Sequence, residues 1–168
     1  SNLSGASIVT VTDIADASQG VALDALEVSL VGDDSQSDVL FNVADSASAI
    51  AFELSGDNTV LDNAESLVVT GGATDMIGAA NIQSSDAYDA AASSYTIADT
   101  AGAVLGDTGT AIDDDGVSTI NVAGSVNAGV GVQLGALEDA SFDTGFSADI
   151  NFNAVSYTHL TLPTTTSV

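Results

Sequence analysis

The residues best equipped for chemistry in this chain are its carboxylates. Aspartates run beside glycine at Gly32-Asp33-Asp34 and at Asp113-Asp114-Asp115-Gly116. Calcium takes about six to eight oxygen ligands, several of them carboxylate, and a flexible glycine-containing loop suits it. Asp33, Asp34, Asp113, Asp114 and Asp115 are therefore the candidate metal ligands, and calcium is the candidate cofactor. Neither run has the alternating ligands and distal glutamate of an EF-hand. The plainer reading of both is a solvated turn.

Other chemistries are poorly served. The chain has 24 acids, so some pair will stand at a distance suited to glycoside hydrolysis by chance alone. It has no Trp, which leaves sugar stacking to a few Tyr and Phe. A Ser-His-Asp triad would need His159, the one histidine, and a Schiff base would need a lysine the chain lacks. The absence of cysteine removes disulfides, thiolate zinc sites and cysteine nucleophiles. Gly71-Gly72 has the glycines of a phosphate loop without its lysine, and reads better as a strand-ending turn. Tyr88 and Tyr95 read as packing residues. The expectation is a protein without catalysis.

Charge narrows the partners. With no Lys or Arg and a formal net charge of −24, no carboxylate can find a basic side-chain partner of that kind in its own chain. Self-repulsion must be met by salt, bound cations or a long surface. Nothing can neutralise phosphate, so nucleic acid is not an expected partner. No apolar run is long enough to span a bilayer, so membrane insertion is not expected either. A hydrophobic content of 45% and a mean hydropathy of +0.34 do allow a buried core. The chain opens on Ser1 and is expected to be an internal stretch of a longer polypeptide.

The elements that would position these acids recur. In YTIADTAGAVLG, Tyr95 to Gly106, Tyr95 and Ile97 share one strand face. Asp99 ends the strand and caps a short helix, which Gly106 closes in a left-handed conformation. In FNVADSASAIAFELSG, Phe41 and Val43 form the strand face and Asp45 is the cap. Ala47, Ile50, Ala51 and Leu54 then fall on one helix face, with Gly56 as the stop. A third copy starts at Val11, where Ile14-Ala15-Asp16 matches Val43-Ala44-Asp45 and Leu23 and Leu26 give the helix an apolar side. Residues 84–94 read as a short helix or a loop. Val130 to Leu134 fits a strand by its alternation and a helix by the spacing of Val126, Val130, Leu134 and Leu137.

Aligning strand ends at Ile14, Val43, Val69, Ile97, Val122 and Phe152 gives steps of 29, 26, 28, 25 and 30 residues. That is the range of stacked-repeat proteins. Two subtypes alternate, one with Asp at the strand end and one with glycine there: Gly71-Gly72, where Asp75 takes over the cap, and Gly124. The expected fold is an α/β repeat solenoid of about five to six units, with parallel strands and short helices. The rival is an all-β sandwich of the adhesin type. The repeat domain is placed at residues 1–155. From Ser156 the chain reads SYTHLTLPTTTSV, which resembles a translated sequencing adapter, so residues 156–168 are set aside as a non-native or linker tail.

The pattern YTIADTAGAVL followed by STINVAGSVNAGVGVQLGAL resembles the degenerate repeats of very large bacterial surface and secreted proteins of the adhesin and S-layer kind. Asp99-Thr100-Ala101 matches their helix start, Val122-Ala123-Gly124-Ser125 their strand end, and Val21 to Leu26 their apolar helix. The resemblance covers most of residues 8–140 and lacks the nonapeptide calcium motif. It implies a structural or adhesive module, extracellular or at the cell surface, acidic and stiffened by calcium. Its implied partners are neighbouring repeats, further copies of itself or a surface glycan. A carbohydrate-active enzyme on a β-solenoid is the alternative. An ice- or glycan-binding sheet face would need an outward Thr or aromatic ladder in register.

Overall fold

A computed structural model describes residues 8–31, 38–57, 59–107, 111–142 and 148–155. Strand and helix alternate along it. In order they are β1 (Ile8–Thr10), α1 (Ala17–Val31), β2 (Asp38–Leu40), β3 (Asn42–Asp45), α2 (Ala47–Leu54), β4 (Ser66–Val69), β5 (Ala73–Thr74) and α3 (Met76–Gln83). Next come a 3-10 turn at Ala90–Ala92, β6 (Tyr95–Thr100), α4 (Ala101–Gly106), β7 (Val117–Asn127), α5 (Ala128–Phe142) and β8 (Asp149–Val155).

Every strand pair among the described residues is parallel. β1 pairs with β2, β3 with β4, and β5 to β8 pair in sequence order. Isolated parallel bridges join Ala15 to Val43 and Leu67 to Tyr88. Parallel neighbours need a crossover between them. A helix supplies it on every paired connection, and between β5 and β6 the 3-10 segment follows α3. The fold is thus mixed α/β, and the all-β rival falls because helices form where that reading had loops.

The core is a mainly aliphatic column that also buries Phe41 and Tyr95. Ile97, Ile120 and Ile150 stand opposite one another on β6, β7 and β8, and all three are buried. Val43 faces Leu67 in the same manner on β3 and β4. The helices close over this column. In α2 the buried residues are Ala47, Ile50, Ala51 and Leu54, the face expected from their spacing. Val130 to Leu134 is helical, with Leu134 fully buried and Val126, near the end of β7, buried as well. Residues 84–94 form turns around the 3-10 segment, whose cap is Asp89.

Helix packing is close where side chains are small. A Cβ added at Gly78 in α3 would collide with Thr74 Oγ1 and lie 2.9 Å from Ala51 Cβ of α2. The expected left-handed closure at Gly106 is not what forms. Among the described residues the glycines with positive φ are Gly71 (+126°) and Gly72 (+80°), between β4 and β5, and Gly124 (+80°), at an irregularity within β7. Ser55 closes α2 and Ser84 closes α3, each hydroxyl donating to a carbonyl three residues back. With no Lys or Arg in the chain, hydroxyls take the place that those residues hold at many helix C-termini.

Candidate functional site

Many carboxylates of the described residues accept from backbone N–H groups. A helix leaves its first N–H groups without partners, and a short polar side chain at the cap can accept from one of them. Each helix from α1 to α5 has such a cap. Asp16 accepts from Gln19 N–H at 2.8 Å, Asp75 from Gly78 N–H at 2.7 Å, and Asn127 from Val130 N–H at 3.0 Å. Gln19 Oε1 accepts in return from Asp16 N–H, a reciprocal capping box. Ser46 and Thr100 cap α2 and α4.

This corrects the expected roles of Asp45 and Asp99. Each lies one residue before the cap, and its two oxygens divide their work. Asp45 Oδ1 accepts from Ser46 N–H at 2.7 Å, and Oδ2 accepts from Ala17 N–H, at the start of α1, at 3.1 Å. Asp99 Oδ1 accepts from Thr100 N–H at 2.6 Å, and Oδ2 accepts from Met76 N–H, at the start of α3, at 3.0 Å. Each carboxylate therefore ties its own strand end to the preceding helix. The extra residue before α2 and α4 explains the difference: it moves the aspartate out of the cap and opposite the neighbour. At the start of α2 the same service comes from main chain, where Ala47 N–H donates to Gly71 carbonyl at 2.8 Å. Gly71 adopts positive φ there, and Gly124, next after the Thr100–Ala123 pair, does so too.

Acids in the turns behave alike. Asp57, Asp62, Asp89 and Asp107 accept from the N–H groups of Thr59, Asp86, Ala92 and Ile112, and Glu138, within α5, accepts from that of Ile150 in β8. The Thr59 bonds hold the Asp57 carboxyl below its usual range. Burial lifts the Asp24 carboxyl, partly offset by the Asn63 amide that donates to it.

Of the candidate metal ligands, Asp33 and Asp34 lie outside the described residues. Asp113 and Asp115 are at the surface of their turn, and Asp114 turns inward. Its Oδ1 accepts from Tyr88 hydroxyl at 2.6 Å and from Gly116 N–H at 2.8 Å. Gly116 is required there, since a Cβ would collide with Tyr88 hydroxyl and lie 2.9 Å from Asp114 Oδ1. Among the described residues no three acid or histidine side chains gather as a metal-binding group. Asp16, Asp45, Glu53 and the exposed Phe52 line an open groove of about 520 Å³ between α1 and α2. Asp45 has both oxygens bonded to backbone, and Asp16 has one so engaged.

The tyrosines are legible as packing residues, but their polar partners are not. Tyr95 is 1% exposed, and its hydroxyl accepts from Gln83 Nε2 at 2.8 Å. Gln83 Nε2 also donates to Ala111 carbonyl at 3.0 Å. Gln83 has no periodicity or motif that marks it for this. Burial pushes the Tyr95 phenol up to about 12, and burial with the Asp114 bond raises Tyr88 further. A phenol whose pKa is raised on folding contributes stability below its unfolded pKa and loses it as pH climbs to the folded value. Stability should therefore hold up to about pH 10 and fall between about pH 10 and 12. In Tyr95→Phe the alkaline loss should be smaller; a denaturation midpoint tracked against pH checks this.

These features define a mixed α/β protein with a parallel strand ladder and carboxylate-held helix starts. No helix among the described residues is long and apolar enough to cross a membrane. Compared with protein-family models, curated proteins and solved structures, the chain matches none.

Proposed function

We propose that the chain is a non-catalytic structural or adhesive module of a bacterial secreted or cell-surface protein. It is a stack of strand-plus-helix layers, an α/β solenoid, whose remaining surface charge is screened by salt or stiffened by calcium. The observation that carries this reading is the employment of the carboxylates. In a chain without Lys or Arg, acids from Asp16 to Glu138 accept backbone N–H groups at helix starts and turns. A catalytic pair needs carboxylates facing a substrate, and Asp45 in the α1–α2 groove is occupied on both oxygens. The layered reading draws on a contact made twice, Asp45 to the start of α1 and Asp99 to the start of α3. Neighbouring layers, further copies or a surface glycan are the partners such a module would meet, outside the cell or on its surface.

Melting with calcium and with chelator, alongside a polysaccharide turnover screen, tests it. Calcium at about a hundredfold over its dissociation constant should raise the melting temperature by roughly 5–10 °C, without turnover. A shift no larger than that from NaCl of equal ionic strength would remove calcium from the reading. Turnover abolished by one Asp→Asn change in a folded protein would replace the module with an enzyme.

A further inference from the structure

We propose that the outer face of α2 docks a basic amphipathic segment of a partner protein, its apolar side chains against Phe52 and Ile77 and its Lys or Arg toward Asp16 and Glu53. The proposal goes beyond the module reading, since it needs the helix face alone. Phe52 stands on α2 with 74% of its surface exposed, whereas Phe41 is fully buried in the core. Ile77 of α3 is 73% exposed. Single exposed apolar residues are ordinary, but an exposed apolar patch rimmed by polar residues marks an interaction site. Phe52 and Ile77 line one groove of about 290 Å³ between α2 and α3, together with Ala51 and Gly78 and rimmed by Ser48 and Asn81.

Phe52 also lines the larger groove on its other side, between α1 and α2. Its neighbours there are of another kind, with Asp16, Asp45 and Glu53 among them. Asp45 is bonded to backbone on both oxygens, so it contributes charge rather than a contact. Asp16 accepts from Gln19 N–H and Ser18 hydroxyl on Oδ1, which leaves Oδ2 for a donor. One aromatic ridge thus divides an apolar groove from an acidic one. An amphipathic segment lying across the ridge meets both, with its apolar side chains as anchors. A cation over Phe52 gains from the ring as well as from the carboxylates.

Charge decides the occupant. Every ionisable side chain lining the two grooves is an acid, and the chain has no Lys or Arg. A second copy carries −24 as well and brings no Lys or Arg of its own, so it is repelled. Nucleic acid and anionic lipid are repelled in the same way. A segment bearing Lys or Arg is attracted. Its attraction fades with salt, whereas its apolar contact with Phe52 and Ile77 does not.

Fluorescence anisotropy of a labelled Lys–Leu amphipathic peptide, titrated with the full chain in about 0.15 M NaCl, tests this. Oligolysine of equal charge and a Gln–Leu peptide of equal apolar content are the comparisons. The Lys–Leu peptide should bind most tightly of the three. Phe52→Ser and Ile77→Ser should each weaken it roughly tenfold or more and leave oligolysine binding unchanged. Glu53→Gln should weaken it less and lessen its salt dependence. Val132→Ser, on α5 outside both grooves, should change nothing. All three apolar positions are exposed, which lets the variants fold, as circular dichroism would verify. Equal binding of oligolysine or of the Gln–Leu peptide, binding unmoved by Phe52→Ser and Ile77→Ser, or the same loss in Val132→Ser would each overturn the proposal. So would sedimentation showing self-association that Phe52→Ser removes, since a second copy would then hold the face. Failure of all three peptides to bind would overturn it and leave the module reading standing, which melting and turnover test separately.

Discussion

Replacing Ile120 by Ala is expected to cost roughly 2–5 kcal/mol of folding stability. Ile120 is fully buried at the centre of the Ile97–Ile120–Ile150 column, with a strand on each side. Truncation removes three carbons and leaves a cavity that flanking parallel strands cannot close without breaking their ladder bonds. A domain has a total of roughly 5–15 kcal/mol, so the loss would be a large share of it. Urea denaturation should show a lower midpoint with little change in slope. Ile77→Ala is the control, because Ile77 is 73% exposed on α3 and should change little.

Asp99→Ala should cost roughly 1–3 kcal/mol, more than an ordinary cap substitution of about 1 kcal/mol. Two N–H groups lose their acceptor together, Thr100 beside it and Met76 in the preceding helix. Asp99→Asn keeps one acceptor oxygen and should fall between wild type and Ala. Amide exchange should quicken at Met76 in Asp99→Ala although the substitution lies on another element, a readout that local fraying of α4 would not give.

Much of the fold is legible in residue order. The spacing of Ala47, Ile50, Ala51 and Leu54 marks the buried face of α2, and crossovers too long for hairpins mark the parallel strands. Register is harder to read. Aligned strand ends set Ile97 against Val122, yet Ile97 pairs with Ile120; they set Val43 against Val69, yet Val43 pairs with Leu67. A slip of two residues preserves which side chains point inward, so an apolar pattern does not detect it. Ile14 is larger than its neighbour and by size belongs inside, yet it is 67% exposed while Ala15 bridges to Val43.

The acids are legible as turn and helix-start residues, and Asp75 caps α3 as its position predicts. Sequence does not supply the second oxygen of Asp45 and Asp99. Its partner is 28 residues away for Asp45 and 23 for Asp99. Local spacing carries no sign of a contact between elements that far apart in the chain. The same holds for Asp114, read as a turn residue and candidate metal ligand, whose Oδ1 accepts from Tyr88 hydroxyl across 26 residues.

Carboxylates thus serve this unusually acidic chain as acceptors for its own backbone. Comparing the denaturation midpoints of Asp45→Ala and Asp99→Ala with those of Asp113→Ala and Asp115→Ala tests that role most directly. Each change removes one negative charge from a molecule carrying −24, so all four relieve self-repulsion alike. The first two should lower the midpoint, while the other two, which tie no helix start, should leave it unchanged or raise it. Four variants moving together, in either direction, would contradict the role.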